Sequence, residues 1–260
     1  MTGLKDIKIV AAIQARMNSK RLPGKPLMKI CAKSMLEHIL ERLLKSRFIG
    51  TVCVATSDNP RDDELARYLE SKEIPYFRGP EEDIVGRLYG TAEKFNAETL
   101  VRVWGDCPLI DVSVIDKMLD EYFKKQADYA TNSSPSSYPF GMNAEVYGFK
   151  ALEEIFYGTK DSFYREFPIE YIKNSKKLKM INVLYEKDIS DIKLTVDYPQ
   201  DVEVISKIIN HFLSTGENLN LDNIIKFYKK NREIFRAAGD LPRNVEYKEN
   251  LRLRSDEKNL

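Results

Sequence analysis

The sequence predicts an α/β fold built on a mostly parallel sheet, and three observations lead to this prediction. Apolar runs at 8–14, 51–56 and 99–104 have the length and composition of buried strands. Amphipathic segments of helical length separate these runs. The 260 residues are 43% hydrophobic and 31% charged, which provides for a buried core and excludes wholesale disorder. Strands that alternate with helices favour a parallel sheet covered on both faces.

The elements follow one another in a regular order. Ser34 and Glu37 have the spacing of a capping box, which predicts a helix from there to about residue 47. Further helices are predicted at 60–72, 81–95, 112–124 and 199–212, and further strands at 75–77, 144–149 and 191–196. The segment 131–141 is rich in turn-forming residues and is predicted to be a loop.

The chain is expected to divide into a main domain over 1–215 and a helical extension with a charged tail over 216–260. The last 20 residues mix both signs of charge with little apolar periodicity. We expect them to be mobile, or to order only against a partner.

The overall charge and the cysteines exclude several classes of protein. There are 41 Lys and Arg against 40 Asp and Glu, which is not the balance of a general nucleic-acid or membrane-surface binder. Cys31, Cys53 and Cys107 lack the spacing of a zinc site or a disulfide framework. The apolar runs near the N-terminus are too short for a signal peptide or a membrane span. A cytoplasmic protein is therefore expected.

One stretch departs from this balance of charge. Residues 7–36 contain no acidic residue and seven basic ones, of which four lie in the loop after the first strand: Arg16, Lys20, Arg21 and Lys25. Guanidinium groups and exposed amides bind phosphate oxygens, and Gly24 lets the backbone approach them. The loop lacks the glycine spacing of a P-loop or a dinucleotide fingerprint. A solvated basic loop is the alternative interpretation, but the position after a buried strand favours a phosphate site.

Two aspartates follow predicted strands. Asp106 comes just after the strand that ends at Trp104, and Asp197 follows the predicted strand 191–196. Ligands of parallel sheets bind at the carboxyl ends of the strands, and two carboxylates there suit Mg²⁺. For either aspartate alone, capping of the following helix is the alternative.

Three segments together resemble the cytidylyltransferase family, which includes the CMP-sialic acid and CMP-3-deoxy-octulosonate synthetases and the spore-coat polysaccharide protein F group. They are Ala-Arg-Met-Asn-Ser-Lys-Arg-Leu-Pro-Gly-Lys at 15–25, Gly-Asp-Cys-Pro-Leu-Ile at 105–110, and Leu-Thr-Val-Asp-Tyr-Pro-Gln-Asp at 194–201. The likeness covers roughly residues 8–213 and is greatest to the protein F group. It implies a three-layer nucleotide-diphospho-sugar transferase (glycosyltransferase-A-like) fold with a mixed, mostly parallel sheet. It also implies a small sugar-binding and dimerisation region near 131–185, and a homodimer.

The resemblance implies roles for individual residues. Asp106 and Asp197 would hold Mg²⁺ and, with Arg16 and Lys25, form the catalytic set. Nucleotide binding is implied for a group centred on the basic loop: Ala15, Arg16, Ser19, Arg21, Lys25, Arg87 and Asp106. Sugar binding is implied for Tyr138, Gly141, Asn143, Glu145 and Arg165. The sequence departs from the family pattern at Gly86, Asn143 and Phe167, mainly around the sugar, so the acceptor stays open.

The implied reaction activates a sugar acid or sugar phosphate with CTP and gives a CMP- or CDP-sugar and pyrophosphate, for surface-polysaccharide or glycan synthesis. The basic loop would neutralise the leaving pyrophosphate, while Mg²⁺ bridges nucleotide oxygens and the aspartates. The general base is left open between Asp197 and a metal-bound water. Two alternatives are a glycosyltransferase that uses a preformed nucleotide sugar, and a non-catalytic subunit that senses a nucleotide.

Overall fold

The computed structural model describes residues 7–239 and 245–257. Its strands are β1 (Ile9–Gln14), β2 (Lys29–Ile30), β3 (Lys33–Ser34), β4 (Thr51–Ser57), β5 (Tyr76–Gly79), β6 (Thr99–Trp104), β7 (Tyr129–Thr131), β8 (Ala144–Gly148) and β9 (Met180–Asn182). Its α-helices are α1 (Met35–Leu43), α2 (Asp63–Ser71), α3 (Ile84–Lys94), α4 (Val112–Lys124), α5 (Phe149–Gly158), α6 (Ser162–Glu166), α7 (Pro168–Asn174), α8 (Pro199–Thr215), α9 (Leu221–Lys230), α10 (Arg232–Gly239) and α11 (Val245–Glu257).

One mixed sheet of seven strands forms the centre of the molecule, in the order β5-β4-β1-β6-β8-β7-β9. Strands β5, β4, β1 and β6 are parallel, whereas β8 runs antiparallel to both of its neighbours. Along β1, Ile9, Ala11 and Ile13 belong to one hydrophobic core, and Val10 and Ala12 to another. Successive side chains of a strand point to opposite faces, so helices bury both faces of this sheet, as the sequence predicts.

The local signals in the sequence produce the expected elements. The Ser34 hydroxyl accepts a hydrogen bond from the Glu37 N–H (3.2 Å), and the Glu37 carboxylate accepts one from the Ser34 N–H (2.7 Å). This is the predicted capping box, and α1 begins directly after it. The helix ends at Leu43 rather than near residue 47.

The predicted strand at 191–196 is wrong. Within this segment Lys193 forms one isolated bridge with Phe140. The Leu194 N–H donates to the Phe140 carbonyl (2.7 Å) as part of this bridge, and the Val196 N–H donates to the carbonyl of Asp106 (2.9 Å), which lies in a loop. The segment is apolar because it is buried, not because it joins the sheet. Burial without a ladder partner gives the same sequence pattern as a strand.

The expectation of a mobile tail is wrong for residues 245–257, which form α11. Arg254 forms two hydrogen bonds to the Asp161 carboxylate (2.7 and 3.1 Å), and its guanidinium lies 4.5 Å from the ring centres of Phe163 and Tyr164. The helix packs through polar and aromatic contacts, so no apolar stripe indicates it in the sequence. Residues 241–244 and 258–260 of the predicted tail lie outside the described ranges.

The extension after residue 215 shares the main core. Leu221, Ile224, Phe227 and Phe235 of α9 and α10 belong to the same cluster as α8 and one face of the sheet. The division of the chain at residue 215 stays a prediction. Among the helices that the structure describes, none has the length and apolar composition needed to cross a membrane.

Candidate active site

A cleft of about 450 Å³ opens at the carboxyl ends of β1 and β6. Gln14 and Trp104, the last residues of these strands, are paired in the sheet and both line the cleft. Gly105 lets the two chain segments approach, since a Cβ atom there would lie 2.8 Å from the Gln14 carbonyl oxygen. Its own N–H donates to that oxygen (2.9 Å). The loops after β1 and β6 therefore face one shared space, as expected for a parallel sheet.

The basic loop meets both predicted aspartates in this cleft. The Lys25 ammonium donates to Asp106 Oδ2 (3.0 Å), to Asp197 Oδ1 (3.4 Å) and to the Val196 carbonyl (3.1 Å). The Arg21 guanidinium donates to the same Asp197 oxygen (2.8 Å). Two segments that are more than 170 residues apart in sequence thus form one charged cluster.

The charges in this cluster stabilise one another. Burial by itself would lower the pKa of the Lys25 ammonium, but Asp106 and Asp197 outweigh burial and the pKa is raised. Burial would likewise raise the pKa of Asp197, but Lys25 and Arg21 outweigh it and the pKa lies below its ordinary value. Lys25 and Asp197 are therefore both charged at neutral pH.

A buried ion pair between Lys193 and Asp201 holds the backbone of Asp197 in place. The Lys193 ammonium donates to both oxygens of Asp201 (2.8 and 2.7 Å), and the two side chains are 2% and 1% exposed. Asp201 Oδ2 also accepts the backbone N–H groups of Asp197 (2.8 Å) and Tyr198 (2.9 Å). Asp201 stands in the first turn of α8, so the helix start fixes the backbone that carries the Asp197 carboxylate.

The donor set fits Mg²⁺ in part. Asp106 and Asp197 supply the hard oxygen ligands that Mg²⁺ prefers. In the described ranges, however, no group of three or more His, Cys, Asp or Glu side chains is placed to hold a metal ion. The neighbouring Cys107 thiol donates to Asp106 (3.3 Å), and burial, together with Asp106, raises its pKa well above the ordinary value. A Mg²⁺ ion at the two aspartates would therefore take its remaining oxygen ligands from substrate or water.

The floor of the cleft contains Arg102, which sequence reasoning missed. Its guanidinium donates to the Glu145 carboxylate (2.8 Å) and to the Gln14 side-chain oxygen (2.7 Å), and it lies 4.7 Å from the Trp104 ring centre. The Glu145 carboxylate also accepts the hydroxyls of Tyr129 (2.7 Å) and Tyr147 (2.8 Å), so three buried donors hold it in place. A basic residue inside the apolar strand 99–104 is the signal that could have found Arg102.

Arg87 adds further positive charge to the cleft. The side chain is 3% exposed, and its guanidinium donates to the backbone carbonyls of Pro80 and Glu81. Burial, and then the nearby Arg102 and Arg16, lower its pKa to about 10. The charges of Arg102 and Arg16 thus disfavour the charged form of Arg87, and an anion bound beside Arg87 would offset this repulsion.

Most of the residues selected from the sequence line this cleft: Ala15, Arg16, Ser19, Arg21, Lys25, Arg87, Asp106, Asn143, Glu145 and Asp197. Three others do not line it. Tyr138 is buried against Tyr185, with 5.2 Å between ring centres. Gly141 has a φ of +115° and packs on the backbone of Leu194.

Arg165 is the third residue that lies outside the cleft lining. Its guanidinium donates to the Phe156 carbonyl (2.7 Å) and to Asp83, which caps α3. The structure thus gives Arg165 a contact between helices. The cleft lining also contains residues that sequence reasoning did not select, among them Gln14, Arg102, Ser133, Lys173 and Tyr247.

The chain is similar to a family model and to several known proteins. A family model described as cytidylyltransferase matches residues 10–241. The protein MJ1063 of Methanocaldococcus jannaschii is 32% identical over 88% of this chain and 93% of its own length. The spore coat polysaccharide biosynthesis protein SpsF of Bacillus subtilis is 29% identical over 77% of this chain and 85% of its own length.

A solved structure has the same fold. The structure of a cytidylyltransferase from Leptospira borgpetersenii is 31% identical, with a TM-score of 0.82 over 91% of this chain and 99% of that one. The predicted mixed α/β fold of the nucleotide-sugar transferase type is confirmed, and so is the resemblance on which it partly rested.

Proposed function

Because the chain belongs to the cytidylyltransferase family, we propose that it activates a sugar acid or sugar phosphate with CTP, in a Mg²⁺-dependent reaction that releases pyrophosphate. One observation carries this proposal: Arg21 and Lys25 meet Asp106 and Asp197 at the ends of β1 and β6. The similarity to a spore coat polysaccharide protein supports a product used in surface-polysaccharide synthesis.

The basic and the acidic residues of the cleft would have different roles in the reaction. Arg16, Arg21 and Lys25 would bind the triphosphate and neutralise the charge that develops on pyrophosphate as it leaves. Asp106 and Asp197 would hold Mg²⁺, which polarises phosphate oxygens when it is bound. Arg87 would add positive charge near an anionic nucleotide, whereas the charge of Arg102 is neutralised by Glu145. Such transfer needs positioning and electrostatic stabilisation rather than a covalent enzyme intermediate.

Asp197 is a poor general base for the attacking hydroxyl. Its pKa lies below the ordinary value because Lys25 and Arg21 contact it, and a carboxylate so stabilised accepts protons weakly. A sugar phosphate would need no base, since its nucleophilic oxygen is already ionised at neutral pH.

A pyrophosphate-release assay tests the proposal. CTP, UTP, ATP and GTP are each incubated with Mg²⁺ and a panel of sugar acids and sugar phosphates. We expect release from CTP with at least one acceptor, and loss of release with EDTA or in Asp106→Asn. Consumption of a preformed nucleotide sugar without release from any free nucleotide would favour the glycosyltransferase alternative. Nucleotide binding without turnover of either kind would favour a sensing subunit.

The assembly and location of the protein are also part of the proposal. We expect a homodimer, by resemblance to the family, and a cytoplasmic location, where CTP is available. Light scattering coupled to size-exclusion chromatography tests the dimer, since a monomeric mass at micromolar concentration would contradict it.

A further inference from the structure

Lys25 lies between the two carboxylates at which a divalent cation would bind. We propose that Lys25, assisted by Arg21, excludes the free divalent ion from Asp106 and Asp197, so that the ion enters only as its complex with the nucleotide. Entry of the ion as a nucleotide complex rests on the function proposed above. The exclusion of the free ion from the two carboxylates concerns only residues of this chain.

The ammonium of Lys25 is fully satisfied in this position. It has three protons, and three acceptors surround it at 3.0, 3.1 and 3.4 Å: Asp106 Oδ2, the Val196 carbonyl and Asp197 Oδ1. The Lys25 side chain is 14% exposed, and those of Asp106 and Asp197 are 23% and 9% exposed. A free ion would have to displace a well-bound, partly buried cation that already neutralises the same carboxylates.

The protein ligands alone are too few to drive that displacement. Mg²⁺ and Mn²⁺ favour octahedral oxygen coordination, and this cluster offers two carboxylates. No larger acidic, His or Cys group suited to a metal occurs elsewhere in residues 7–239 and 245–257. Arg21, which donates to Asp197 Oδ1 at 2.8 Å, competes for one of the two carboxylates as well.

A nucleotide changes the competition between the basic side chains and the metal ion for the two carboxylates in two ways. Its phosphates offer new anionic partners to Lys25 and Arg21, so these cations can leave the carboxylates without losing ion pairing. The same phosphates bring further oxygen ligands for the ion. Exchange of the lysine cation for the metal cation therefore becomes favourable when metal and triphosphate arrive together.

The test measures the binding of Mn²⁺ alone, without nucleotide, by electron paramagnetic resonance titration at pH 7.5. We expect wild type to bind weakly and Lys25→Met to bind at least tenfold more tightly. Arg21→Met should give a smaller gain, because Arg21 contacts one of the two carboxylates. Lys29→Met is the matched control: it removes the same charge from an exposed position outside the cleft lining and should bind like wild type.

The outcomes separate this inference from the proposed function. If Lys25→Met and Arg21→Met both bind Mn²⁺ no more tightly than wild type, the exclusion is refuted. The exclusion is also refuted if Lys29→Met gains as much as Lys25→Met, because general charge would then explain the effect. Circular dichroism shows whether each variant folds. If Lys25→Met does not fold, the Mn²⁺ affinity of Arg21→Met decides whether the exclusion is correct. Failure of wild type to bind Mn²⁺ with CTP, despite a gain in Lys25→Met, would instead count against the proposed function.

Discussion

Replacement of Lys193 by methionine should destabilise the protein strongly, although the residue lies outside the cleft lining. The substitution leaves the Asp201 carboxylate, which is 1% exposed, without its countercharge. Removal of one partner from a buried ion pair costs about 3–5 kcal/mol. At about 2–4 °C per kcal/mol for a chain near this size, the melting temperature should fall by roughly 6–20 °C.

Urea and thermal unfolding followed by circular dichroism measure the effect. The double variant Lys193→Met/Asp201→Asn removes both charges while an amide oxygen remains to accept the N–H groups of Asp197 and Tyr198, so it should recover about half of the loss or more. Lys207→Met, an exposed charge on α8, should change the stability by less than about 0.5 kcal/mol. A single variant Lys193→Met within about 1 kcal/mol of wild type would show that the pair is not a buried, mutually dependent unit.

Other positions give separate expectations. Asp106→Asn should lower kcat for pyrophosphate release by about a hundredfold in a folded protein, and turnover within tenfold of wild type would remove Asp106 from the metal site. Gly105→Ala should cost about 1–3 kcal/mol in urea unfolding, because its Cβ would lie 2.8 Å from the Gln14 carbonyl; an unchanged midpoint would contradict the close approach. Ser34→Ala should cost about 1 kcal/mol in the same assay, and no loss would mean that the capping box is not needed. Arg254→Met should speed hydrogen exchange in α11 and at 161–164, whereas the exposed Arg252→Met should not; equal rates in both would contradict the anchoring role.

The parts of the fold that follow from local signals could be predicted from the sequence. The capping box at Ser34 depends on residues three apart, and the central strands depend on short apolar runs. The juxtaposition of the basic loop with Asp106 follows from a general rule, since parallel strands end at the same edge of a sheet. These features required no knowledge of which side chains touch across the molecule.

The remaining features depend on tertiary contacts, which produce no periodic pattern in the sequence. The family resemblance assigns Tyr138 to the sugar, yet its ring is buried against Tyr185. Tyr247 reaches the cleft lining from α11 and donates to Glu170 (2.7 Å), although the chain around it shows little apolar pattern. A side chain's direction and its distant partners decide such roles, and spacing along the chain does not encode them.

Because the segment 191–196 is not a strand of the sheet, the position of the Asp197 carboxylate depends on other contacts. A strand would hold Asp197 through a continuous ladder of backbone hydrogen bonds, whereas this segment has two bonds to Phe140, one to Asp106, and the ion pair of Lys193 with Asp201. The bond from the Val196 N–H to the Asp106 carbonyl (2.9 Å) ties the backbones that carry the two carboxylates to each other. The spacing of the carboxylates is therefore set by a few specific bonds. Loss of the Lys193–Asp201 pair should consequently disturb cation binding as well as stability, and Mn²⁺ titration with CTP present measures that coupling.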